Sequence, residues 1–265
     1  MEELNAGALI REWRQRRRLS QLDLALDAEI SQRHLSFIES GRARPSRGMV
    51  LRLAERMDVP LRQRNRLLIA AGYAPSFGER KLDDPALKPA LAAVEQVLKG
   101  HEPFPAMAVD KGWNMLKANA SVSRLLEGIE DPALLLEPPV NVLRLSLHPK
   151  GLAPRIVNLG EWRTHLLERL RLQIENSGDP GLQALEKELT SYPGPATPEP
   201  HEPDAAHNIA VPLRVRMGDQ VLSFISTITV FGTPLDVTLS ELAIESFFPA
   251  DAGTADYLRQ LTAAK

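Results

Sequence analysis

The 265-residue sequence has no cysteine, which excludes disulfides, thiolate catalysis, iron–sulfur clusters and cysteine-ligated zinc. No apolar run approaches the roughly 18–20 residues that span a bilayer, so no transmembrane helix is expected. The opening stretch MEELNAGALIREW sets Glu2, Glu3, Arg11 and Glu12 around a very short apolar segment, unlike a signal peptide. A cytoplasmic location is the expectation. Lysine is missing from residues 1–66, which hold 14 arginines against nine acidic residues. The whole chain carries a formal charge of −2, so the remainder is acidic and the basic character sits at one end. Such an end suits phosphate contact, and arginine adds bidentate bonding to phosphate and guanine. A solvated charged surface would carry the same pattern. With 43% hydrophobic and 25% charged residues, the composition is that of an ordinary globular protein, and the length suggests two domains.

Residues 1–74 read as five short helices. Ala8, Ile10 and Trp13 share a helical stripe that ends in Arg16–Arg17–Arg18, where cations favour the helix dipole. Ser20 and Ser31 are placed to cap the second and third helices, and Gly41 and Pro45 stop the third. The fourth and fifth are expected at 49–57 and 61–71. Residues 75–90, with prolines, Gly78 and a charge cluster, read as a linker. From 91 to 265 the pattern is mixed. Strands are expected at 104–109 and 113–118 around a turn at 110–112, at 209–216 and 220–230 around a turn at 217–219, and at 241–248. Helices are expected at 119–127, 141–147, 160–177, 180–191 and 251–262. Residues 192–203, rich in proline, fit no regular element. Strands, then helices, then strands indicate an α+β domain with an antiparallel sheet.

The segment SQLDLALDAEISQRHLSFIESGRARPS resembles the helix-turn-helix of the phage Cro/repressor-like (XRE) family, over about residues 4–59. The physics of the segment agrees with that likeness. Leu35 and Ile38 are spaced to pack the third helix on its partner, while Gln32, Arg33 and Ser36 lie on the opposite face near its N-terminus. The resemblance implies Gln32 and Arg33 as base readers and Phe37 at a further base-facing position, where it either touches a thymine methyl or completes the core. Gln21, Ser40, Arg42 and Arg44 match backbone-contact positions, and Ser31 joins the DNA-contact set. Arg14 and Glu39 match a family ion pair. A helical bundle without a nucleic-acid role is the bland alternative, and His34 reads as a solvated helix residue.

The rest of the chain resembles the MmyB-like ligand-binding domain, on LDDPAL at 82–87, PFPAMAVDKGWNMLKANA at 103–120, PPVNVLRLSLHPKGLAPRIVNLGEWRTHLLERLR at 138–171 and VPLRVRMGDQVLSFISTITVFGTPLDVTLSELAIESFFPAD at 211–251. The likeness implies a PAS-like fold around an apolar cavity, with fatty-acid-like ligands. From the residues, Asn141, Arg144 and His148 stand at i, i+3, i+7 on one helical face. Arg144 with His148 as helper can hold a carboxylate, or bridge to the sheet, or cap a helix. Leu143, Leu145 and Leu147 on the helix, Val221, Phe224, Ile228 and Val230 on a strand, and Trp113 and Trp162 are candidate core or pocket-wall residues. Enzyme signatures are missing: no H-E-x-x-H, G-x-S-x-G, P-loop or G-x-G-x-x-G occurs, and the six histidines make no metal spacing. His207 near Asp204 and the pair Glu186 and Glu188 read as solvated.

The expectation is therefore a non-enzymatic, sequence-specific transcription regulator of double-stranded DNA, without cofactor or metal. It senses a small apolar ligand such as a fatty acid and acts as a homodimer. A ligand-free dimerisation or interaction module, or more weakly a degenerate enzyme, are the other readings of the second domain.

Overall fold

Side chains placed just ahead of the N-terminal helices set where they begin. The computed structural model describes residues 5–194 and 210–263. Helix α1 (Ala6–Arg16) is capped by Asn5, whose Oδ1 accepts from the Gly7 N–H at 2.9 Å. Ser20 and Asp23 form a reciprocal capping box on α2 (Gln21–Asp27). Ser31 and Ser46 cap α3 (Gln32–Glu39) and α4 (Arg47–Arg56), and α5 (Leu61–Ala70) follows Pro60. Each helix then stops at a residue in the left-handed region: Arg18, Glu29, Gly41, Asp58 and Gly72. After four of them an apolar residue, Leu19, Ile30, Val59 or Tyr73, returns its N–H to a carbonyl of the last turn, the Schellman arrangement. Those turns fold the helices onto one core, which includes Ile10, Trp13, Leu24, Leu35, Ile38 and Leu53.

The chain divides into two units, the first comprising Met1–Leu82, Glu175–Ser177 and Thr233–Ser240. Within it, the segment after residue 232 is tied to residues 78–80. The Val237 N–H donates to the Gly78 carbonyl at 2.7 Å, and Arg80 Nη1 meets the buried Asp236 carboxylate at 2.9 Å.

The second unit is the expected α+β domain. Its helix α6 (Lys88–Gly100) precedes the hairpin of β1 (Ala106–Val109) and β2 (Met115–Ala118). Short helices α7 (Ala120–Leu125), α8 (Pro132–Leu135) and α9 (Val142–Leu147) follow, then the long α10 (Leu159–Ser177) and α11 (Pro180–Ser191). Strands β3 (Leu213–Met217) and β4 (Gln220–Val230) form a second hairpin around Gly218, at φ +56°. A one-turn helix α12 (Val237–Ser240) leads to β5 (Ala243–Pro249) and the closing α13 (Ala252–Ala263). All strand pairs are antiparallel, in the order β2-β1-β5-β4-β3. Alternation splits the two faces. Ala106, Ala108 and Ile244 pack with Val94 and Leu98 of α6, whereas Val109, Phe224 and Phe247 join the core with Trp162, Leu166 and Leu170 of α10.

Three expectations need correction. Residues 75–90 are not linker throughout, because a 3-10 turn at Pro85–Leu87 runs into α6. Pro89 stands in the first turn of that helix, where its missing N–H costs no hydrogen bond. The same reason hides α8, where Asp131 caps and Pro132 follows. Strand β2 starts at Met115 rather than Trp113, since Trp113 is left-handed (φ +65°) and the Asp110 carboxylate takes the Asn114 N–H. The expected strand start at Ile209, the proline-rich run beyond Gly194, and His201, Asp204 and His207 lie outside the described residues.

Helix α1 approaches α3 so closely that a Cβ on Gly7 would lie 2.2 Å from the Ile38 carbonyl oxygen, whereas one on Gly48 meets nothing within 4 Å. Gly7→Ala should therefore lose about 1–3 kcal/mol. Gly48→Ala, which only lowers unfolded-chain entropy and raises helix propensity, should gain up to about 1 kcal/mol. Urea midpoints of the full chain check both signs.

Candidate DNA-reading surface and apolar cavity

Helix α3 is held from behind and left open in front. Leu35 and Ile38 are buried in the core, and Glu39 is buried beside them. Arg14 of α1 grips that carboxylate with Nε at 2.7 Å and Nη2 at 2.9 Å, and Gln21 of α2 adds a bond from Nε2 at 2.8 Å. One carboxylate thus fixes three helices. Burial pushes the Glu39 carboxyl up, but the bonds from Arg14 and Gln21 and the charges of Arg14 and Arg11 outweigh it and hold it below its ordinary value.

On the open side Gln32, Arg33 and His34 are exposed, and Ser36 and Phe37 are half-buried. Phe37 stands outside the core. The guanidinium carbons of Arg33 and Arg42 lie 5.3 and 5.9 Å from its ring centroid, within cation–π range. The remaining motif residues divide by what they hold. Ser31 accepts the His34 N–H, Ser40 Oγ donates to the Phe37 carbonyl, and Arg44 donates through Nε and Nη2 to the Ala71 carbonyl. Arg42 is exposed at the end of the same face.

The second unit encloses an apolar cavity of about 60 Å³. Met107 and Met115 of the sheet, Val142 and Leu143 of α9, and Trp162 and Leu166 of α10 contribute to its wall. Arg169 and Glu245 supply a charged end, joined by a 3.0 Å bond from Arg169 Nη1 to Glu245 Oε1.

Of the residues named from sequence, Leu143, Leu145 and Trp162 line this cavity. Trp113 is buried with Arg169 stacked 4.2 Å from its ring centroid, and Phe224 is buried edge-on to Phe247, a wall residue. Ile228 is 43% exposed, although it pairs with Glu245 across the sheet. Arg144 and His148 lie elsewhere. Helix α9 is so short that Asn141 is its N-cap and His148 its C-cap, which breaks the expected common face. Arg144 gives Nε and Nη2 to Glu188 at 2.6 and 2.8 Å, so Glu188 is an ion-pair partner and not a solvated acid. Tyr192 also donates to Glu188, and burial together with that carboxylate pushes its phenol up to about 12. His148 packs edge-on against the Tyr192 ring.

Sequence reasoning missed Arg169 and Glu245. The signal was there: Trp162, Leu166 and Arg169 fall on one helical face at i, i+4, i+7, and Ala243, Glu245 and Phe247 alternate on one strand face. A charge inside an apolar stripe was the mark to look for.

A family model described as the MmyB-like transcription regulator ligand binding domain matches residues 91–261. The chain belongs to the MmyB-like transcription regulators. A second model, described as helix-turn-helix, matches residues 10–63. No curated protein matches the sequence. This MmyB-like regulator therefore combines a DNA-binding helix-turn-helix with a ligand-binding domain. Among its described residues no helix is long and apolar enough to cross a membrane.

Breaking the buried pair that braces α3 should be costly. Glu39→Gln is expected to lose about 3–5 kcal/mol at pH 7, because Arg14 is left buried without its counter-charge. A carboxyl held below its ordinary value contributes fully above the unfolded-state pKa of about 4.3 and loses that contribution as pH falls through its lower folded value. The stability gap between wild type and Glu39→Gln, followed by urea unfolding, should shrink as pH drops from about 5 to about 3.

Proposed function

We propose that the protein reads a specific operator with α3 and changes its DNA binding when a small, fatty-acid-like ligand occupies the second domain. The observation that carries the DNA half is the exposure of Gln32 and Arg33 at the N-terminal end of a helix whose other face is locked by Arg14 and Glu39. Base-edge readout needs that combination of an open polar face and a fixed angle. Arg33 reads a base, and Arg42 sets register on phosphate. Gln21 and Arg44 serve mainly to brace the helices, given the bonds they make. Phe37, beside both Arg33 and Arg42, presents an apolar edge suited to a thymine methyl.

The ligand half rests on the apolar wall of the cavity, which fits the helix-covered sheet of a PAS-like domain. Pockets for drug-sized ligands run to about 300–1,000 Å³, far beyond the 60 Å³ enclosed here. A long acyl chain thus enters only by moving wall side chains, and Met107 and Met115 are the adaptable ones. Occupancy then has a structural consequence, as a sensor requires. The small closed volume favours one other reading, a ligand-free interaction module. Native mass spectrometry of the purified chain separates them, through a retained lipid or a bare protein that takes up no added fatty acid. The protein works in the cytoplasm as a homodimer, because one short recognition helix reads too few base pairs for a genome.

Arg33→Ala should weaken a selected operator by about 1–3 kcal/mol while leaving scrambled DNA nearly unaffected. Arg42→Ala should weaken both alike. Gel shifts on the two DNAs decide, and equal losses for Arg33→Ala would remove its base-reading role. Sedimentation of the full chain on operator should give two chains per site. One chain per site would end the dimer reading.

A further inference from the structure

We propose that Arg169 is the head-group anchor of the cavity and that its Nε–Nη2 edge takes the carboxylate of an aliphatic acid. This rests on the reading of the second domain as a ligand sensor and names the chemistry of that ligand. Arg169 lies on α10 among apolar wall residues, with Trp162 and Leu166 on the same helical face. Of its three guanidinium nitrogens, Nη1 is bonded to Glu245 at 3.0 Å. Nε and Nη2 are fully buried and meet no hydrogen-bond partner among the described residues. A buried guanidinium with two nitrogens unsatisfied is uncommon in native proteins and destabilising unless a partner arrives.

The chain itself shows what that edge accepts. Arg14 turns Nε and Nη2 onto the two oxygens of Glu39, and Arg144 turns the same pair onto the two oxygens of Glu188. In Arg169 that fork remains, while Nη1 alone is engaged. Two parallel N–H groups match two carboxylate oxygens, whereas an alcohol, ester or amide offers only one acceptor to the pair. The Trp113 ring, 4.2 Å below the guanidinium carbon, covers one face and fixes the plane, so a ligand approaches in plane along the edge. Glu245 engages the guanidinium through the other nitrogen and does not compete for the fork. An acid whose tail runs toward Met107 and Met115 would keep its charge paired and its methylenes dry.

The experiment uses the full chain, with decanoic acid, decan-1-ol and methyl decanoate followed by isothermal titration calorimetry. Wild type should prefer the acid over the alcohol and ester by about tenfold or more, the usual worth of a charge-assisted hydrogen bond. Arg169→Gln should abolish the preference while still binding the alcohol, and Arg169→Lys, with charge but no fork, should retain only part of it. Glu245→Gln, which removes the neighbouring anion, should tighten the acid without changing the alcohol. Circular dichroism checks folding. If Arg169→Gln does not fold, the acid-to-alcohol ratio in wild type and in Glu245→Gln decides. Wild type binding acid and alcohol equally, or a folded Arg169→Gln that keeps the preference, overturns the anchor and leaves the sensor reading standing. Wild type that binds none of the three probes overturns the sensor reading and the anchor with it.

Discussion

A carboxylate taken out of water needs a cation at contact distance, and the architecture is arranged around that constraint. Among the described residues three acidic side chains are buried, Glu39, Asp236 and Glu245, and each has an arginine: Arg14, Arg80 and Arg169. Each pair joins elements far apart in the chain. An unpaired charge in any of these places would be prohibitive, so once one partner is buried the other must follow. The first pair sets the angle of α3, the second ties residues 233–240 to the end of the first helical stretch, and the third forms the charged end of the cavity. What differs is completeness. Glu39 receives both forks of Arg14 and a bond from Gln21, whereas Arg169 gives Glu245 a single nitrogen.

The same view divides the arginines of the N-terminal stretch. Their excess over acidic residues gave the first hint of nucleic-acid contact, but they are not equivalent. Arg14 is consumed by its buried bonds to Glu39, and Arg44, though exposed, spends Nε and Nη2 on the Ala71 carbonyl. Arg33 and Arg42 remain on the surface around Phe37. Net charge therefore overstates the DNA-facing charge, and the residues that face outward are defined by helix geometry and not by composition.

What was legible in the sequence was local. The capping serines, the stop at Gly41, helix α11 from Pro180 to Ser191 and strand β4 from Gln220 to Val230 all follow from signals within a few residues. Helix α6 was missed because Pro89 carries opposite meanings at the first turn and in the interior of a helix, and only the structure tells which applies. Asn141, Arg144 and His148 share a face only in an uninterrupted helix, yet Asn141 and His148 bound α9. Arg169 could be suspected from its position in an apolar stripe. Its partner Glu245 lies 76 residues away, a distance over which no periodicity carries information. Fold was readable where short-range rules govern it. The chemistry of the cavity was not, because it is made by a helix residue meeting a strand residue far away in the chain.

The bond between Gly78 and Val237 and the ion pair between Arg80 and Asp236 have a consequence for how the protein is made. The helical core up to Ala71 is continuous in sequence and can form as soon as it leaves the ribosome. Its outer edge cannot, because the strap at 233–240 is synthesised about 150 residues after Leu82. At roughly 5–20 residues per second that is a delay of about 8–30 s, during which the Gly78 carbonyl and Arg80 wait for Val237 and Asp236. Nearly the whole ligand-binding domain emerges in that interval. The DNA-binding unit is thus completed late, only after β4 has been made, with β5 and α13 of the second unit still to follow.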